Sequence, residues 1–128
     1  VIPISIVDRI EWKEKDEGMM SNDVLQDLYT TVMNRKTDKK EGSYTCYLFE
    51  QGLDKILKKI GEECTETVIA AKNGDNDLLT GEIADLIYHI TVMMAERELP
   101  LEYLLTELDK RSEKTGNLKQ MKTVNKDS

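Results

Sequence analysis

The residues of this chain best placed to do chemistry are five acids. In "GEECTETVIAAKNGDNDLLTGEIADLIYH", residues 61–89, Glu62, Glu63 and Glu66 precede a polar break, and Glu82 and Asp85 follow it. Glu63 and Glu66 stand three residues apart, as do Glu82 and Asp85, so on helices each pair converges on one side, one turn apart. Glu62 and Glu66 share a polar stripe, whereas Glu63 lies about 60–100° round towards the apolar face. Glu82 and Asp85 occupy a stripe that continues into Val92 and Met93. A carboxylate on an apolar stripe is costly unless it is paired, hydrogen-bonded or bound to a cation. Two antiparallel helices joined by a short loop would bring the pairs face to face and gather the acids around one small space. Their repulsion calls for a divalent cation. Oxygen donors without His or Cys suit Mg²⁺, with Mn²⁺ as the alternative, rather than Zn²⁺. A di-iron bundle would want Glu-x-x-His pairs, and the single histidine, His89, instead stands four residues after Asp85.

Each of these residues also has a plainer reading. Glu62 alone reads as a helical salt-bridge partner of Lys58 and Lys59, and Glu66 as a residue facing water. The doubled spacing argues against that account for the group. His89 reads first as a satisfied core histidine, and Met93-Met94 as core packing. Lys55, Lys58 and Lys59 read as a solvated helix face, yet they lie one or two turns before the acids, where phosphate oxygens would need counter-charge.

The elements that must position the acids are helices. Ser21 or Asn22 can cap a helix over about Asp23–Asn34, with Val24, Leu25, Leu28, Val32 and Met33 inward. Residues 35–44 read as a charged loop. Ser43 or Thr45 then caps a short helical turn through Tyr47, Leu48 and Phe49 that ends near Gly52. A long helix follows from Leu53 to about Lys72, its inner face expected at Ile56, Leu57, Ile60, Cys64, Thr67, Val68 and Ala71. Asn73-Gly74 is a C-terminal stop, with Asp75 or Asn76 as the next cap. The helix over about Asp77–Arg97 is apolar nearly all round, which suits the middle of a bundle or a dimer interface. Pro100 opens a last amphipathic helix to about Lys114, carrying Leu101, Tyr103, Leu104, Leu105 and Leu108. Residues 1–20 read as an extension of uncertain structure, 21–115 as one all-α domain and 116–128 as a polar tail. "ISIVDRIEW" near the start has strand-like content and no partner strand.

At 128 residues the chain is long enough for one domain with a real core. A net charge of −7 and an isoelectric point near 4.8 argue against a nucleic-acid partner. Cys46 and Cys64 lack metal or redox spacing and read as reduced, small core residues. No apolar run approaches the roughly 20 residues that span a bilayer, and no signal-like segment opens the chain. A cytoplasmic protein without a membrane partner is expected.

Glu-Glu-x-x-Glu, a gap of fifteen residues, then Glu-x-x-Asp resembles the signature of the MazG-like all-α nucleoside triphosphate pyrophosphohydrolases. Within that superfamily, "EGSYTCYLFEQGLDKILKKIGEECTETVIAAKNGD" and "GEIADLIYHITVMMAERELPLEYLLTEL" resemble the phosphoribosyl-ATP pyrophosphohydrolase family of histidine biosynthesis, over about Val24 to Leu108. The resemblance implies a MazG-like bundle of about four to five helices completed by dimerisation, as a homodimer or a dimer of dimers. It implies Mg²⁺-dependent hydrolysis of phosphoribosyl-ATP to phosphoribosyl-AMP and pyrophosphate. Glu63, Glu66, Glu82 and Asp85 match the metal-binding acids, and Glu62 or Glu63 is the candidate for handling the proton of the attacking water. Lys55, Lys59, Lys72 and Asn73 become candidates for phosphate or ribose contact, with Arg35 and Ser43 beside them. Two rival readings remain: a house-cleaning hydrolase of non-standard nucleoside triphosphates, and a non-catalytic helical dimer. The family often carries this domain behind a cyclohydrolase, whose Cys and His metal ligands this chain cannot supply.

Overall fold

The computed structural model describes residues 23–113, all as α-helices and short connections. Helix α1 spans Val24–Thr37, α2 Tyr44–Gln51, α3 Leu53–Asn73, α4 Asn76–Glu96 and α5 Leu101–Ser112. The expected all-α class and helix number hold among the described residues. The extension at 1–20, its strand-like run, the tail at 116–128 and the proposed caps Ser21 and Asn22 lie outside them.

Local chemistry explains the boundaries of α2, α3 and α4. Ser43 caps α2 by accepting the Cys46 N–H at 3.2 Å. Gly52 ends α2 and starts α3 at φ 94°, ψ 178°, a backbone region open essentially to glycine alone. Gly74 closes α3 in the left-handed conformation at φ 78°, and Asp75 caps α4 through the Leu78 N–H at 3.1 Å. The α3–α4 turn is therefore short, and the two longest helices pack as an antiparallel pair.

Helix α1 runs on through Arg35, Lys36 and Thr37, which were expected to be loop. A tertiary contact accounts for the extra turn: Lys36 Nζ donates to the Ala95 carbonyl at 2.9 Å, drawing the end of α1 onto α4. Basic residues in a last turn also suit the helix dipole. The core gathers Leu28 and Val32 of α1, Tyr44 and Leu48 of α2, Ile56 of α3, and Tyr88, Val92 and Ala95 of α4. Val24 and Leu25, expected inside, are exposed.

The inward face of α3 keeps Ile56 and Ile60 on the core, as expected, but is shifted round from the expected one. Its buried residues are Ile56, Lys59, Glu63 and Ala70, whereas Leu57 and Val68 of the expected inner face are exposed, Val68 at 67%. Cys64 is exposed as well, so only Cys46 is the core thiol anticipated for both. Of α5 only Leu101 is buried, leaving Leu104, Leu105 and Leu108 outside. By length and composition α4 is long and apolar enough to cross a membrane. That corrects the expectation drawn from uninterrupted apolar runs, since this helix reaches the threshold despite Glu82 and Asp85. Its buried side, with Asp85, Tyr88, His89 and Val92, is that of a core helix.

Candidate functional site

The unexpected face of α3 is the one that carries the acids. With Lys59, Glu63 and Glu66 on successive turns turned towards α4, the stripe meets Glu82, Asp85 and His89 of the antiparallel neighbour. Glu63, Glu66 and Glu82 each place a carboxylate oxygen within 4.8 Å of the others. Asp85 is buried outside that trio, near enough for its charge to act on Glu63.

Glu63 is 0% exposed, and neither of its oxygens has a hydrogen-bond partner; Oε1 of Glu82 is also buried without one. Burial pushes the Glu63 carboxyl up to about 8, helped by the adjacent Glu82 carboxyl and by the charges of Asp85 and Glu66. The residue sits at the centre of an arrangement that positive charge would relieve.

Glu62 faces another way and stays partly exposed. Lys59 Nζ donates to its Oε1 at 2.9 Å, and this bond, with the lysine's charge, holds the Glu62 carboxyl below the usual range. Lys59 itself is 4% exposed, so it does not belong to the solvated face expected for it. It stands one turn before Glu63, inside the same buried strip.

The remaining sequence candidates lie further out. Lys55 is half-buried one turn before Lys59, while Lys72 and Asn73 are exposed at the end of α3. They stand six and seven residues beyond Glu66, roughly 9–10 Å along the helix axis. Arg35 is buried on α1 and lines a cavity of about 250 Å³ with Lys36, Lys39, Cys46, Phe49, Glu50 and Glu96. Ser43 spends its side chain on the α2 cap and borders a cleft of about 490 Å³ at the start of that helix. Neither Arg35 nor Ser43 belongs to the acid trio.

Sequence reading missed Tyr44. Its hydroxyl donates to His89 Nε2 at 3.0 Å, and His89 Nδ1 donates to the Asp85 carbonyl at 2.7 Å. A carbonyl can only accept, which fixes the Nδ1 proton. Burial lowers the proton affinity of His89 and keeps the ring neutral. Tyr44 is pushed up to about 12, by burial first and the Glu63 charge next, so its hydroxyl stays protonated beside the acids. Edge contacts of His89 with Tyr44 and Tyr88, and a short bond between Tyr88 and Thr45, fix the group. The histidine is thus satisfied, as its plainer reading anticipated. Only the run "GSYT" at the start of α2 could have drawn attention to Tyr44.

Comparison with known proteins bears on this arrangement directly. Residues 25–112 match the family described as Phosphoribosyl-ATP pyrophosphohydrolase. The chain is 54% identical over 97 residues to the phosphoribosyl-ATP pyrophosphatase of Clostridium novyi (strain NT), covering 76% of this chain and 88% of that protein. It is 54% identical over 102 residues to the enzyme of that name from Listeria monocytogenes serovar 1/2a, covering 80% and 98%. With the one from Clostridium botulinum (strain Kyoto / Type A2) it shares 51% over 109 residues, covering 84% and 99%. The match runs through all five helices, the acid-bearing pair included, and the chain belongs to the phosphoribosyl-ATP pyrophosphohydrolase family.

Proposed function

We propose that this chain hydrolyses phosphoribosyl-ATP to phosphoribosyl-AMP and pyrophosphate at the acid cluster between α3 and α4, with Mg²⁺, or Mn²⁺ in its place, held by Glu63, Glu66, Glu82 and Asp85. The observation that carries this reading is Glu63, a fully buried carboxylate with no donor at either oxygen and two further glutamates within 4.8 Å. A purely structural acid would be paired; a cation ligand needs its lone pairs. The donor set is all oxygen, which suits a small hard cation. When bound, the ion supplies positive charge to the triphosphate oxygens and the departing pyrophosphate and makes water more acidic.

The other steps fall to the chain's own side chains. Glu62, ionised and held by Lys59, stands beside the cluster with solvent access and is the carboxylate we assign to the water proton, a contribution on the order of 10²–10⁴ in rate. Glu63 is too enclosed for that role and serves the ion. Lys55 before the cluster and Lys72 and Asn73 beyond it bracket a length suited to a triphosphate and its ribose, and we assign them to those groups. Lys59 acts through Glu62. Arg35 and Ser43, both outside the trio, are assigned to the substrate's periphery.

The same reading includes a second copy. Leu57, Val68, Ile83, Ile87, Leu104 and Leu108 are exposed on three different helices. Apolar surface of this extent is uncommon on a soluble monomer, and Leu57 and Val68 of the expected inner face of α3 are part of it. A homodimer, or a dimer of dimers, would cover it. With its acidic charge and small nucleotide substrate, the protein is read as a cytoplasmic enzyme with neither nucleic acid nor membrane as partner. Pyrophosphate release from phosphoribosyl-ATP, set against dUTP and dCTP with and without Mg²⁺, tests the reading. Equal turnover of all three substrates, or turnover indifferent to chelation, would defeat it.

A further inference from the structure

We propose that His89 is a positioning residue for the acid cluster: by accepting the only hydroxyl proton of Tyr44, it keeps that proton off Glu63 and leaves the carboxylate available to a cation. The inference rests on reading the cluster as a cation site.

The direction of each hydrogen bond follows from the atoms. The Asp85 carbonyl has no hydrogen, so His89 Nδ1 donates the bond of 2.7 Å. A neutral ring then has a bare lone pair at Nε2, and the bond of 3.0 Å takes its hydrogen from Tyr44. Tyr44 is an electrostatic neighbour of Glu63. A phenol beside a buried carboxylate would ordinarily give its proton to the charge, because charge-assisted bonds are the stronger ones. Here the proton goes to a neutral ring instead. That ring is held edge-on against Tyr44 at 5.8 Å and against Tyr88 at 5.0 Å, and it is entirely buried. Glu63 keeps both oxygens without a donor, although it is near enough for its charge to act on Tyr44. A donor on Glu63 would stabilise the bare anion and compete with a cation for the same lone pair. His89 removes that competitor without adding charge to the site.

The experiment measures Mn²⁺ affinity of the full chain by electron paramagnetic resonance at one pH, with thermal melting of each protein alongside. His89→Leu frees the Tyr44 proton and is expected to weaken Mn²⁺ binding roughly tenfold, the scale of one hydrogen bond to a charged group. Adding Tyr44→Phe removes that proton, and the double variant should return to within about threefold of the parent. His89→Gln keeps an acceptor for Tyr44 and should bind like the parent. Unchanged affinity in His89→Leu, or a loss that Tyr44→Phe does not repair, would overturn the inference. If His89→Leu fails to fold, Tyr44→Phe alone decides. Parent-like affinity supports the inference, and a tenfold loss in a folded protein overturns it by showing that the hydroxyl serves the cation. A parent chain that binds no Mn²⁺ would remove the cation-site reading together with this one, whereas a binding parent whose affinity His89→Leu leaves unchanged removes this one alone.

Discussion

Glu63 of α3 and Glu82 of α4 face each other across the helix pair with no donor between them, and Glu66 brings a third carboxylate within 4.8 Å. Like charges at that separation make ionisation of the buried Glu63 costly. The Glu63 carboxyl is accordingly pushed up to about 8, burial being the first cause and Glu82 the next. Glu63 thus holds its proton well above the ordinary carboxylate range.

Stability of the cation-free protein should therefore depend on pH with a definite sign. The folded state holds the Glu63 proton more tightly than the unfolded chain, whose carboxyl has the ordinary value of 4.5. The stabilisation is complete below 4.5 and is lost as pH rises through about 8. In chelator, the melting temperature should fall over that window, and Glu63→Gln should flatten the fall. Adding Mg²⁺ near the top of the window should restore most of the loss. A parent profile already flat in chelator would contradict this account of Glu63.

Asp85→Asn separates a functional acid from a structural one. The amide removes one negative charge from a repulsive group while keeping the main-chain carbonyl that anchors His89, so without metal the fold should be as stable or slightly more so. With Mg²⁺ and phosphoribosyl-ATP, turnover should drop by about 10²-fold or more. Melting and turnover on one preparation decide, and near-normal turnover in a well-folded variant would remove Asp85 from the site.

A charge on the outward face of α4 should break the proposed dimer without unfolding the chain. Ile83 and Ile87 stand one turn apart, each 40% exposed. Ile87→Glu leaves the core untouched and should shift the sedimenting species towards a monomer at micromolar concentration. A parent chain that already sediments as a stable monomer would remove the proposed second copy.

The bend between α2 and α3 should tolerate only glycine. A Cβ at position 52 meets no other atom within 4 Å, so the penalty for Gly52→Ala comes from φ 94° alone and should be about 1–3 kcal/mol. Ser43→Ala should cost about 1 kcal/mol through loss of the α2 cap. Denaturant titration measures both, and no change at Gly52 would mean that the bend relaxes freely.

Much of this molecule was legible in local chemistry. The ends of α2, α3 and α4 follow from Ser43, Gly52, Gly74 and Asp75, because caps and left-handed turns depend on a few neighbouring residues. Helix type fixed the acid spacing as well: residues three apart on a helix share a side wherever that helix lies.

Sequence alone, then, determined the helices, the stops of α2, α3 and α4, and the pairing of acids within α3 and α4. Tertiary structure decided which stripe of α3 turns inward. That helix carries two usable faces, an apolar one with Leu57 and Val68 and a mixed one with Ile56, Lys59 and Glu63, and local helix physics does not choose between rotations. Packing on α4 selected the mixed face. The bond between Tyr44 and His89 was likewise beyond reach, since it joins residues 45 apart and exists only once α2 lies against α4. Local rules act over about one helical turn, and the site is built from contacts far longer in sequence than that.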